Sequence, residues 1–307
     1  MRGNRIAIFA VAAAVILGGG GLIALGLGGT DAATSLSPSS LIHGDKPSSA
    51  AASPSPTGPS PEELAKAKRA KQVKALDAAL RKLDATSPEF SVAVLDRKTG
   101  AKYAYRGAEK YDTASIVKAQ ILACVLLTDQ DAGREPTKTE MALAKPMIRL
   151  SDNNAATSLF QRVGARSGLT KCNKRLGLTH TVVNSSWGLT RTTADDQIRL
   201  LAELADTKGP LDAGSRKTAF TLMSTVSSAQ DWGVPSIAKT GETAIVKNGW
   251  DTRSADGGLW AVNTIGRVTS DDVDVAVAVL SHDNKSMEGG ITLVQKVAKL
   301  TRQYLQY

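Results

Sequence analysis

A mixed α/β fold is predicted, with one antiparallel five-stranded sheet flanked by N- and C-terminal helices and an all-helical lobe of about residues 113–228 inserted in the middle of the chain. Three features carry this. Strand-like alternation occurs twice, at Phe90, Val92 and Val94 and again at Val273, Val275, Val277 and Val279. Between these regions the spacing is helical with little β signal, as in the apolar face made by Ile198, Leu201 and Leu204. Amphipathic helical patterns stand at both ends of the folded part, through Leu76, Leu80 and Leu83 and through Ile291, Val294, Val297 and Tyr304.

Taken in order, residues 1–29 read as a signal peptide or signal anchor. Arg2 and Arg5 precede a stretch, residues 6–30, without a charged side chain, long enough as a helix to cross a bilayer core. Export follows, and the protein is expected to be secreted or membrane-anchored by this segment. No Cys follows closely, which argues against a lipidated N-terminus. Residues 30–60 are rich in Ser, Pro, Ala and Gly and lack the apolar periodicity that builds a core, so they read as a disordered linker.

The folded domain is expected over residues 61–307. Pro61, Glu62 and Glu63 open a helix, the acids favouring its positive end. Phe90, Val92 and Val94, a turn at 96–100, and Tyr103 and Tyr105 predict a hairpin. From Ser115 to Leu127 nearly every residue is apolar or small, which predicts a buried central helix. Strands are expected at 244–250, 259–268 and 273–279, the first two joined by a short connection that makes them antiparallel neighbours. A cleft between sheet and helical lobe follows from this order.

The net charge is +9, and seven cations between Lys66 and Lys82 cluster on one helical stretch without interleaved aromatics. That pattern reads as a solvated face or attraction to an anionic envelope, and no nucleic-acid partner is expected. The two cysteines, Cys124 and Cys172, allow one disulfide and leave pairing open. Together with three scattered histidines they form no metal-ligand spacing, so no metal and no cofactor is expected. His43, His180 and His282, with no G-x-S-x-G elbow, disfavour a Ser-His-Asp hydrolase.

Three short elements carry the chemistry. Ser115 opens the buried helix, with Asp112 or Thr113 available as its N-cap, and Lys118 lies one turn on along the same face. A serine hydroxyl needs a base at hydrogen-bond distance, and a desolvated lysine loses its proton readily enough to serve. Residues 236–239 repeat the Ser-x-x-Lys spacing but lead into Thr240-Gly241 rather than an apolar helix. The second element, Ser151-Asp152-Asn153, brings a hydroxyl, a carboxylate and an amide together; Asp152 either braces the loop or caps the next helix. The third is a lysine, a small polar residue and a glycine on an edge strand, with two candidates: Lys239-Thr240-Gly241 and Lys247-Asn248-Gly249. Strand context favours Lys247, with Asn248, Gly249 and Trp250 following it.

In this order the elements resemble class A β-lactamase-like serine hydrolases, of the superfamily shared with D-alanyl-D-alanine peptidases, the penicillin-binding proteins. The resemblance covers about residues 61–307 and includes Met147-Ile148 and Trp187-Gly188-Leu189-Thr190. It implies a β-lactamase/transpeptidase-like fold, with Ser115, Lys118 and Ser151 as catalytic residues. Asn153, Lys247, Asn248, Gly249 and Trp250 would bind substrate, the lysine holding a carboxylate. The N–H groups of Ser115 and Trp250 would form an oxyanion hole.

The sequence departs from class A enzymes at two points: Asn248 stands where their third element carries Thr or Ser, and no Asp or Glu occurs in residues 153–194, where those enzymes carry the acid that activates the deacylating water. Asp195 and Asp196 read instead as helix-start residues. Acylation is therefore expected and fast penicillin hydrolysis is not. A D-Ala-D-Ala carboxypeptidase or transpeptidase acting on peptidoglycan peptides, and a non-catalytic wall-binding or regulatory module, are the alternatives. The implied partners are a β-lactam or peptidoglycan-peptide substrate and the cell envelope, with the chain a monomer.

Overall fold

The computed structural model describes residues 58–307, so the expected signal segment and all but the end of the expected linker lie outside the described residues. Helix α1, Pro61–Asp84, begins in a capping box: Ser60 Oγ accepts from Glu63 N–H and the Glu63 carboxylate accepts from Ser60 N–H at 2.7 Å. Then come β1 (Phe90–Asp96), β2 (Lys102–Tyr105), the short β3 (Tyr111–Asp112) and α2 (Val117–Asp131). The helical lobe continues with α3 (Lys138–Arg149), α4 (Asn153–Arg162), α5 (Ala165–Arg175), α6 (Ala194–Glu203) and α7 (Ala213–Met223). It is interrupted by β4 (Arg191–Thr192), which pairs with β3. Strands β5 (Thr243–Thr252), β6 (Trp260–Thr269) and β7 (Asp274–Ser281) and helix α8 (Met287–Leu305) close the chain.

The five-stranded sheet has the order β2-β1-β7-β6-β5, every pair antiparallel, so the first and last parts of the chain meet at β1 and β7. Strand β7 is buried on both faces, because a helical layer covers each side. Val275, Val277 and Val279 point into a core with Leu76, Leu80, Val294 and Val297 of α1 and α8. Ala276, Ala278 and Leu280 point the other way, into a core shared with Ile121, Leu126 and Leu201 of the helical lobe. The alanines keep the second face flat where α6 crosses it. Helix α8 approaches β6 closely at Gly290, where a Cβ would lie 2.4 Å from Val262 Cγ2.

Residues 117–127 of α2 are all buried, Lys118 and Gln120 included. The entry into α2 differs from expectation. Neither Asp112 nor Thr113 caps it; the chain turns in through one tight helical turn, Ala114–Ile116, and Asp112 is held by ion pairs to Arg191 at 3.3 Å and Arg253 at 2.9 Å. The Asp112 carboxylate is thus turned to two guanidiniums and makes no cap hydrogen bond to the helix. Cys124 of α2 and Cys172 of α5 form a disulfide with Cα atoms 5.8 Å apart, which answers the pairing the sequence left open.

Candidate active site

Ser115 sits in the tight turn ahead of α2, half-buried, in the wall of a cleft of about 450 Å³. Ala114, just before it, has φ +45°, a left-handed conformation that costs free energy in a residue with a Cβ. The surrounding contacts hold it there. Thr113 N–H donates to Thr190 O at 2.8 Å, and Ile116 N–H donates to Thr113 O at 3.2 Å.

Lys118 follows one turn later, and its amine faces the loop between α3 and α4. Its Nζ donates to Ser151 O at 2.6 Å and to Asn153 Oδ1 at 2.7 Å, and lies 3.1 Å from Ser151 Oγ. The Trp187 ring covers the amine, with Nζ 4.9 Å from the ring centroid, and Trp187 Nε1–H donates to Thr157 Oγ1 at 3.1 Å. Burial disfavours the ammonium and lowers the Lys118 pKa from 10.5 to about 8, while the charge of Asp152 acts in the opposite direction. Asp152 also caps α4, its Oδ1 accepting from Ala155 N–H at 2.7 Å. Ser151 has φ +59°, a second left-handed non-glycine residue, at the contact with Lys118.

The third element is Lys247 on β5, the edge strand nearest Ser115. Its Nζ lies 3.0 Å from Ser151 Oγ and 2.7 Å from Asn248 O, with Gln230 Oε1 at 3.4 Å. The side chain is completely buried, and burial, reinforced by the charge of Lys118, pushes its pKa well below the ordinary lysine value. Its amine is covered and meets the Ser151 hydroxyl. Lys239, Thr240 and Gly241, by contrast, form an exposed turn before β5, with Gly241 at φ +85°.

Side-chain alternation along β5 corrects a second expectation. Lys247 and Gly249 face the helical lobe, whereas Asn248 faces the opposite side, buried, its Nδ2 donating to Gln230 O at 2.9 Å and Trp232 O at 3.0 Å. Asn248 supports the site from behind and does not line the cleft. The Trp250 indole packs toward Trp232, ring centroids 5.9 Å apart, while the residue lines the cleft beside Ser115. Gly249 is there for clearance. A Cβ at that position would lie 2.7 Å from Ser115 N and 2.6 Å from Ile116 N.

Lys118 and Lys247 therefore meet at the Ser151 hydroxyl, Lys118 also holds Asn153, and Asn153 lines the same cleft as Ser115. Sequence reasoning missed Gln230, which accepts from Lys247, and Asn263, whose Nδ2 donates to Asp112 O and Thr113 O. Both are lone amides without motif context, and only the pairing of β5 with β6 brings Asn263 under the Ser115 turn. Asp195 lies beside Gly107, and Asp196 accepts from His180 N–H and Thr181 Oγ1–H. Neither lines the cleft, whose far wall is Ser185, Ser186 and Trp187.

The sequence profile of the Beta-lactamase enzyme family matches residues 134–305, a span that includes Ser151 and Lys247 and begins after Ser115 and Lys118. LppW of Mycobacterium tuberculosis, named as a lipoprotein, is 30% identical over 169 residues, 52% of this chain and 54% of that protein. LppW of Mycobacterium bovis matches to the same extent. The chain thus spans about half the length of the curated relatives it matches. Among solved structures, a mutant of the class A β-lactamase of the last common ancestor of Gram-negative bacteria superposes with a TM-score of 0.65 at 21% identity. That match covers 76% of this chain and 99% of the other. A β-lactamase from Xanthomonas campestris pv. campestris gives a TM-score of 0.65 at 18% identity, covering 76% and 98%. PBP-A gives 0.65 at 18%, covering 76% and 96%. At these identities the likeness is one of fold.

Proposed function

The chain belongs to the Beta-lactamase enzyme family, and on that premise we propose that it is an exported, penicillin-recognising serine acyl hydrolase with Ser115 as nucleophile and slow deacylation. One observation carries the reading most: the Ser151 hydroxyl lies 3.1 Å from the Lys118 amine and 3.0 Å from the Lys247 amine, and Lys118 stands one helical turn after Ser115 in the chain. With a pKa of about 8, roughly one Lys118 in ten is the free amine at pH 7, enough to serve as base.

In the proposed reaction Ser115 Oγ bonds to the lactam carbonyl carbon while Lys118 Nζ takes its proton. The N–H groups of Ser115 and Trp250 stabilise the oxyanion. The carbon–nitrogen bond then breaks, and Ser151 passes a proton to the leaving nitrogen, replenished from Lys118. Lys247 holds the substrate carboxylate through the Ser151 hydroxyl, and Asn153 orients the acyl amide.

Turnover of the acyl-enzyme needs an activated water. Residues 153–194 offer no carboxylate for this, and the Trp187 ring covers Lys118. This favours a second reading, a peptidase or transpeptidase acting on D-Ala ends of peptidoglycan peptides through the same acyl-enzyme. The uncharged stretch at residues 6–30 and the lipoprotein name of the mycobacterial relatives support attachment to the envelope, with the chain acting as a monomer. Among the described residues no helix is long and apolar enough to cross a membrane.

Intact mass after exposure to a labelled penicillin tests the proposal. The expected result is one adduct on the wild type that persists for hours and is missing from Ser115→Ala. An unmodified wild-type protein would overturn it, and rapid loss with product release would contradict slow deacylation.

A further inference from the structure

Asn263, on β6, is completely buried, and its carboxamide uses three hydrogen bonds. Nδ2 donates to Asp112 O at 2.9 Å and to Thr113 O at 3.1 Å; Oδ1 accepts from Ser281 N–H at 3.1 Å. Two carbonyls can only accept and an N–H can only donate, so the amide has one orientation that satisfies all three partners. The two carbonyls belong to the residues just before Ala114, whose φ of +45° needs outside support, and Ser115 follows. Asn263 also stands opposite Gly249 in the β5–β6 register, so the tether lies beside the gap that Gly249 leaves for the Ser115 backbone.

We infer that Asn263 is a positioning residue for Ser115. It pulls the Asp112 and Thr113 carbonyls onto the sheet and so keeps the left-handed turn at Ala114 that aims the serine into the cleft. The inference rests on Ser115 being the nucleophile for its kinetic consequence, while its structural content, a tethered turn, stands apart from that reading. No other side chain of the sheet donates to these two carbonyls among the described residues.

The test uses the full chain carrying Asn263→Ala or the isosteric Asn263→Asp, with thermal unfolding to establish that each is folded at the assay temperature. Acylation by a labelled penicillin over a range of concentrations separates the saturating rate from the half-saturating concentration. For Asn263→Ala the saturating rate is expected to fall about 100-fold, the scale of an ångström of misplacement, with the half-saturating concentration within about twofold of wild type. For Asn263→Asp the rate relative to wild type is expected to fall as pH rises, since the buried carboxyl donates one hydrogen bond while protonated and repels both carbonyls once ionised. A merely structural loss would not produce that pH-dependent ratio. Amide hydrogen exchange across residues 112–117 is expected to quicken in both variants.

Wild-type saturating rates in both variants overturn the inference. If the wild-type protein takes no adduct, the nucleophile reading fails, and the exchange data alone decide the tether: unchanged protection of residues 112–117 in Asn263→Ala overturns it.

Discussion

Gly249→Ala should disable the candidate site through three backbone atoms. The added Cβ would lie 2.6 Å from Ile116 N, 2.7 Å from Ser115 N and 2.9 Å from Thr113 O, where ordinary contact begins near 3.4 Å. The turn or the strand must therefore retreat by about 0.8 Å, and no side-chain rotation relieves the clash because every neighbour is main chain. Overpacking of this kind costs about 1–3 kcal/mol, which for a domain of this size lowers Tm by roughly 2–12 °C. The retreat also carries the Ser115 N–H away from Trp250, so an acylation rate about 100-fold lower accompanies a protein that is still folded. Differential scanning calorimetry and the rate of penicillin labelling measure the two effects. A variant with wild-type Tm and wild-type labelling would refute the view that Gly249 is there for clearance.

Two further outcomes follow from the same structure. Replacing Cys124 and Cys172 with Ala opens a crosslink across 48 residues and should destabilise the domain by about 4 kcal/mol, read from the urea midpoint; a loss under 1 kcal/mol would show that the α2–α5 packing suffices alone. The acylation rate should rise with pH through about 8 as Lys118 loses its proton, and level off above. Stability moves in the same direction: the unfolded chain binds the Lys118 proton up to pH 10.5 and the folded chain only to about 8, so stability rises between those values, as equilibrium unfolding at pH 7.5 and 10 would register. A flat rate across pH 7–9 would remove Lys118 from the role of base.

The layers of the fold were readable because periodicity is a local property. The leucines of α1 and the valines of β7 repeat at the spacing of the surface they bury, and that spacing is visible without a partner. The same holds for Ser115-x-x-Lys118, whose spacing is one helical turn. The two corrections arose where a residue's neighbour is set by another element. Asp112 suits an N-cap by composition, yet Arg191 and Arg253, far along the chain, claim its carboxylate. Asn248 suits a substrate contact by its place beside Lys247, yet strand alternation turns it to the opposite face.

By itself the sequence determined the order of helices and strands, the Ser-x-x-Lys spacing, and the lack of an acid over residues 153–194. Each of these is written in the identity of residues within a few positions of one another. Strand context favoured Lys247 over Lys239, and the tertiary structure shows that it is Lys247 that the edge strand delivers to Ser151. Only the tertiary structure decided the pairing of the cysteines, the clearance at Gly249 and the tether from Asn263. These contacts join groups separated by as many as 151 residues, and no local rule relates such groups until the antiparallel pairing of β5, β6 and β7 sets them side by side.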